Sequence, residues 1–552
     1  MAYEHDSLRW NGWGTTDSHF DLGEGRQSLW SFIAERLGSG PLPSTPAPSL
    51  ESTTLPSVRL SDAGLGALKK LVGDDCIRTD ARERARHAYG RSYADVIRLR
   101  SGQLSAAPDA VVYPRSSKAV ADVLTLAVQE GWSVIPYGGG SSVVGGVEAT
   151  RDRITLTIDT TFLSGLLELD ETSGAATFGA GTWGPDLEDA LAQKRLTLGH
   201  FPQSFEFSTL GGWIAARGAG QESNRYGPAN RWLLGARVVT PVGEIRTHPF
   251  PQSAAGPRLN EVLCGSEGTL GIITEATVQV RPRAESSAIR TFLFRTFEAG
   301  AAAIRSVVQS GVPVAMMRLS DADETYFYGT LKNLRQPPSA LTSLGERGLD
   351  AIGLGAGVGD GRCALLVGID GTEGDVKRHH RRVTSLCAAE GGVPIGAGPG
   401  RSWRKSRFAT PYLRSPMLDR GLGIDTLETA THWTNVVPLW KRVRSAIEDS
   451  LGPCAVLAHI SHAYRSGCSL YFTFLFLRDA RDPMAQWRRV KAAASEAIAT
   501  GGGTISHHHG VGLDHAPWMK RETGTLGMQM LAGAKAAVDP QGILNPGKLG
   551  LE

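Results

Sequence analysis

Pro136-Tyr137-Gly138-Gly139-Gly140-Ser141-Ser142-Val143-Val144-Gly145-Gly146 follows directly on the apolar run Ser133-Val134-Ile135. A short apolar run closed by glycines reads as a strand. Upstream, Ser117–Glu130 carries Val120, Val123, Leu124 and Ala127 at helical spacing, and Val111-Val112-Tyr113-Pro114 before it reads as another strand. The unit is therefore strand, helix, strand, glycine loop. Consecutive glycines with hydroxyl neighbours expose backbone N–H groups, and such a nest suits an anion, a diphosphate above all. The spacing is neither that of an ATP-binding P-loop nor GxGxxG opening a helix.

Three further segments share this character. They are Gly179-Ala180-Gly181-Thr182-Trp183-Gly184, Ser208-Thr209-Leu210-Gly211-Gly212-Trp213 and Cys264-Gly265-Ser266-Glu267-Gly268-Thr269-Leu270-Gly271. Four such loops within about the length of one domain argue for a long, bent cofactor threaded past all of them. A chain of 552 residues suggests two or more domains. Residues 39–58, rich in Pro, Ser and Thr, read as an arm behind a helical piece at 28–37. A later block alternates expected strands at 291–295 and 363–370 with expected helices at 299–307 and 372–389. In 469–476, Leu470, Phe472, Phe474 and Phe476 share one face of a half-buried strand.

With 41% hydrophobic and 20% charged residues the chain reads as an ordinary globular protein, and a net charge of +3 argues against nucleic-acid binding. Its six cysteines show no CxxC pair, so no zinc or redox dithiol pattern is present and no metal is expected. Neither a signal peptide nor a membrane span is evident, which predicts a cytoplasmic protein, with peripheral contact at a membrane surface left open.

Close to the C-terminus stands Ser506-His507-His508-His509-Gly510-Val511-Gly512. Adjacent side chains point different ways, so at most two of these imidazoles serve one site directly. Beside a Gly-x-Gly turn they form a candidate acid/base station.

Together, Gly138–Ser142, Gly179–Gly181, Ser208–Gly212 and Gly265–Gly271 resemble the vanillyl-alcohol-oxidase superfamily of FAD enzymes. Within it the chain is similar to the alkyldihydroxyacetonephosphate synthases. The more specific marks are the opening Trp10-Asn11-Gly12-Trp13-Gly14, then Tyr412-Leu413-Arg414, Tyr471-Phe472 and the histidine run. The resemblance implies an α+β fold: a two-lobed FAD-binding domain under an α+β cap domain. The expected divisions are 1–105 (helical segment and arm), 106–284 (FAD binding), 285–500 (substrate or cap domain) and 501–552 (a segment returning to the flavin site). It implies cofactor contacts from Pro136, Gly138, Gly139, Gly140, Ser141, Ser142, Gly181, Ser208, Thr209, Gly212, Trp213, Glu267, Gly268, Gly271 and Ile273. Gly140 stands where covalent relatives carry a tethering histidine, so noncovalent FAD is expected.

The implied reaction exchanges the acyl chain of acyl-dihydroxyacetone phosphate for a long-chain alcohol without net redox, the flavin serving as an electrophile. Implied catalytic positions are Tyr471, His200, His507, His508 and His509, with Arg318 and Arg414 as guanidinium forks for the substrate's anionic head. A homodimer is compatible with the resemblance. The alternative is an FAD-linked oxidase or dehydrogenase of a small 2-hydroxy acid such as D-lactate, which shares the loops. Leu513-Asp514-His515 stands where relatives carry a basic residue, and Phe201-Pro202 where an acidic one is expected after His200.

Overall fold

The structure is a computed structural model that describes residues 7–18, 20, 26–335, 347–357 and 361–551. Its first lobe is a four-stranded sheet in the order Ile77–Arg78, Ala110–Val112, Thr155–Asp159, Ser133–Tyr137. The last three are parallel. Helix Ser117–Glu130 makes the crossover between two of them. Ser116 caps it by accepting the Ala119 N–H, and Gly131 ends it in the left-handed region. Strand Ser133–Tyr137 then delivers the glycine loop. Helix Asp62–Val72 and strand Ile77–Arg78 also belong to this lobe, the strand pairing with Ala110–Val112. The division expected at 105/106 therefore runs through one sheet. Local composition does not show that pairing.

The second lobe is a five-stranded antiparallel sheet: Leu166–Asp170, Ala175–Gly179, Ile272–Gln279, Leu233–Thr240, Gly243–Arg246. The cap is a seven-stranded antiparallel sheet in the order Val393–Gly396, Ser286–Phe294, Cys363–Gly371, Met316–Ser320, Cys454–Ile460, Gly467–Leu477, Leu422–His432. The fold is thus α+β, with two lobes under an α+β cap.

Helices Phe297–Gln309, Glu373–Ala389, Val436–Leu451 and Pro483–Thr500 cover one face of the cap sheet. Leu470, Phe472, Phe474 and Phe476, at 0–1% exposure, point into that core. Burial of each such side chain contributes about 1.5–3 kcal/mol. The opposite face is shared. Helix Arg26–Arg36 covers one end through Leu29, Trp30 and Ile33 packed on Leu457 and Leu475. The other end faces the first two lobes.

The 39–58 arm links the layers. Thr45 N–H donates to the Asp419 carbonyl in the cap, and just beyond the arm Arg59 pairs with Asp109 of the first lobe at 2.9 Å. The C-terminus also returns to the first lobe. Val134 N–H donates to the Ile543 carbonyl (2.8 Å) and Asn545 N–H to the Val134 carbonyl (2.9 Å). Ile543 and Leu544 are fully buried there. The six cysteines are unpaired and five are buried. Among the described residues no helix is long and apolar enough to cross a membrane.

Candidate active site

A cavity of about 360 Å³ lies where the two lobes meet the cap. Its floor is the glycine loop from Pro136 through Val144, with Thr209, Gly212 and Trp213 beside it and Glu267, Gly268, Gly271 and Ile273 opposite. Among the described residues, the five successive backbone N–H groups from Gly139 to Val143 have no protein acceptor. Such a row is built for an anion that the protein does not supply. The FAD diphosphate fits it. Two expected cofactor contacts do not line the cavity. Gly181 packs against the Thr160 carbonyl, where a Cβ would come within 1.8 Å. The Ser208 hydroxyl is used within the protein, accepting from Trp213 Nε1 (2.7 Å) and donating to the Ser204 carbonyl (2.8 Å).

Glu267 lines the cavity, but its carboxylate accepts the N–H groups of Val511 (2.5 Å) and Gly512 (2.7 Å). It clamps the Gly-x-Gly turn rather than facing a ligand alone. Burial raises its pKa to about 7 against the pull of those two donors. Gly512 sits at φ 52°, with the space of a Cβ taken by the Val144 carbonyl at 2.0 Å. Only glycine lets the C-terminal turn seat on the loop that follows the nest.

From the cap, strand Gly467–Leu477 turns Tyr471 and Thr473 toward the cavity, opposite the aromatic face in the core. The Tyr471 ring stacks on His459 (4.8 Å between centroids, 17°) and meets His509 edge-on at 5.4 Å and His508 at 6.1 Å. Burial raises the Tyr471 pKa, opposed by the Thr426 hydroxyl and the Arg414 charge, so it is a protonated phenol at neutral pH. His508 and His509 line the cavity; His507 does not. The alternation of adjacent side chains turns His507 aside to Tyr464, whose Oη lies 2.6 Å from its Nε2.

One residue sets this arrangement. Glu428, paired across the strands with Tyr471, accepts the N–H groups of His507 (2.6 Å), His508 (3.1 Å) and His509 (2.9 Å) and the Ser506 hydroxyl (2.9 Å). Burial opposes its ionisation, but the imidazoles of His508, His509 and His507 and the N–H donors outweigh that and hold its pKa well below the carboxylate range. Burial in turn lowers the three histidines to about 4, with Glu428 pulling the other way. At neutral pH they are neutral, so hydrogen bonds are what hold the carboxylate.

His200 is 1% exposed, between Trp213 and Trp232 at 4.7 and 5.1 Å. The Trp232 indole N–H donates to its Nδ1 at 3.3 Å. The proton of the neutral ring therefore sits on Nε2, which among the described residues has no hydrogen-bond partner while the ring lines the cavity. Burial lowers its pKa to about 3. Arg318 donates to Glu324 Oε1 (3.0 Å) and to His459 Nε2 (3.0 Å), and His459 Nδ1 donates to Glu324 at 2.9 Å. Its charge is thus largely compensated. Asp321 and Asp323, nearer in the sequence, are spent on Arg444 instead. Arg414 also lines the cavity, donates to the Arg91 carbonyl and, among the described residues, touches no carboxylate.

Sequence reasoning missed His459, His462, Glu324 and Glu428. The pair His459-x-x-His462 at the end of an apolar strand is the one local signal that would have drawn attention to two of them. Gly12 and Trp13 of the opening motif reach the cavity too, Trp13 packing edge-on against Phe207 at 5.5 Å.

Two family models match this chain: an FAD binding domain over residues 108–248 and the C-terminal domain of FAD linked oxidases over 283–549. The alkyldihydroxyacetonephosphate synthase of Trypanosoma brucei brucei is 33% identical over 572 residues, covering 99% of this chain and 92% of its own. The chain belongs to the alkyldihydroxyacetonephosphate synthase family. The Dictyostelium discoideum member is 32% identical across 99% of this chain and 94% of its own. A solved alkyldihydroxyacetonephosphate synthase structure superposes with a TM-score of 0.82 at 29% identity, covering 98% of this chain and 97% of its own. p-Cresol methylhydroxylase, at 16% identity and a TM-score of 0.66, shares the fold. As an alkyldihydroxyacetonephosphate synthase family member, the chain is a flavoenzyme whose cofactor is FAD.

Proposed function

We propose that this chain exchanges the acyl group of acyl-dihydroxyacetone phosphate for a long-chain alcohol, forming the ether bond of an ether lipid without net redox. One observation carries the reading: a phenol, neutral imidazoles and an uncompensated guanidinium converge on the cavity that the glycine nest borders. Bound FAD supplies an electrophilic ring system. The protein's part is binding and proton handling. Arg414, free of carboxylates, takes the phosphate head, and Arg318, already paired, fixes the edge of the pocket. A proton leaves the carbon beside the substrate carbonyl, and the Tyr471 phenol exchanges it. To accept a proton Tyr471 must pass on its own, and the neutral rings of His508 and His509 are the nearby acceptors. His200 Nε2–H is a free donor for an oxygen in the cavity.

Noncovalent attachment belongs to the same reading. At position 140 the φ is 65°, and a Cβ would come within 1.9 Å of Tyr137 Oη, so a tethering histidine has no room there. Acid precipitation is expected to release intact FAD into the supernatant; flavin retained on the polypeptide overturns this point. The activity is tested by incubating the holoenzyme with acyl-dihydroxyacetone phosphate and labelled hexadecanol and looking for an alkyl ether. Absence of ether product together with rapid anaerobic bleaching of the flavin by D-lactate or another 2-hydroxy acid would instead identify a dehydrogenase.

A further inference from the structure

We propose that His462, His507 and His508 form a binding site for a divalent transition cation of borderline softness, zinc above all, beside the flavin cavity. One ring nitrogen of each lies within 4.8 Å of the other two. A zinc–imidazole bond of about 2.0–2.1 Å places tetrahedral ligand nitrogens roughly 3.3 Å apart, so small ring rotations complete the set. His507 Nδ1 and His508 Nδ1 are already 3.0 Å apart, and the His462 ring lies 5.0 Å from both neighbours, centroid to centroid.

The outward nitrogens are already held. His462 Nδ1 is 2.7 Å from the Ser223 hydroxyl and His507 Nε2 is 2.6 Å from the Tyr464 hydroxyl. Each hydroxyl accepts as readily as it donates, so both rings can present their inward lone pairs while the outward N–H is bonded. This is the support that orients metal-bound histidines. Glu428 fixes the backbone of His507 and His508 and sets a buried negative charge 3.7 Å from His508 Nδ1, which favours a cation.

His462 and His508 line the cavity, so the ion enters from there and its fourth position falls to water or an anion. Occupancy takes the His508 lone pair, so zinc inhibits turnover. The site stands without the proposed activity; only the inhibition rests on it.

The test dialyses FAD-loaded protein against zinc chloride at micromolar concentration and measures retained zinc. One zinc per chain is expected, with an X-ray absorption spectrum of the wild-type complex showing three imidazole ligands. His462→Ala and His507→Ala are expected to weaken binding roughly tenfold or more while retaining FAD. No retained zinc, or a wild-type spectrum without an imidazole shell, overturns the site. Undiminished binding in both variants does so as well. A bound zinc that leaves ether formation unaffected would overturn the inhibitory role alone.

Discussion

Tyr471 differs from a phenylalanine only in its hydroxyl, and its ring packing does not need that group. Tyr471→Phe is therefore expected to keep the fold and its FAD while losing turnover by about a hundredfold or more. Full activity with normal flavin content would remove the phenol from the mechanism. The imidazoles make a separate claim. A histidine acting as proton acceptor fails once it is protonated. Burial lowers His508 and His509 from 6.5 to about 4, so the acid limb of the pH–rate profile should fall near pH 4. A limb near 6.5 in stopped assays across that range would mean that the working histidine is solvated rather than buried.

Strand Leu422–His432 brings Glu428 under the histidine run, and the carboxylate there joins two elements of different origin in the chain. Glu428→Gln removes the charge and offers one acceptor oxygen where four donors converge. Loss of stability by about 2 kcal/mol or more is expected in denaturant unfolding, together with a fall in turnover, because His508 and His509 lose their fixed direction. Unchanged unfolding would show that the run holds its shape unaided.

This element also marks how far the sequence can be read. Strand Gly467–Leu477 was legible because its alternation is local: Leu470, Phe472, Phe474 and Phe476 to the core, Tyr471 and Thr473 away. Helix Ser117–Glu130 and the glycine nest announce themselves the same way. Glu428 did not. It meets His507 from 79 residues away, and one acidic residue in a strand has no periodicity to betray it. His507 itself was drawn into the site by the motif, although its neighbours' geometry sends it to Tyr464.

At the scale of the molecule, the cavity is assembled from segments far apart in the chain. The opening motif supplies Trp13, the first lobe the glycine nest, the cap Tyr471, and the C-terminal segment both the histidines and the residues beside Val134. Asn545 ties these together, its side-chain amide donating to the carbonyls of Gly146 (2.9 Å) and Glu267 (2.6 Å). Deleting residues 540–552 should therefore strip FAD from a protein that still contains the whole nest. A truncated chain that keeps its yellow colour through gel filtration would show that the tail is dispensable.

The Asn545 contact joins residues 399 positions apart, and this sets a timetable for biogenesis. At roughly 5–20 residues per second, the strand that launches the nest leaves the ribosome tens of seconds before the segment that completes its edge. Through that interval Val134 offers an unpaired backbone edge, open to other nascent chains. Completion of the nest is thereby deferred until synthesis is nearly over, and a stall before the last segment emerges would be felt as aggregation of new protein.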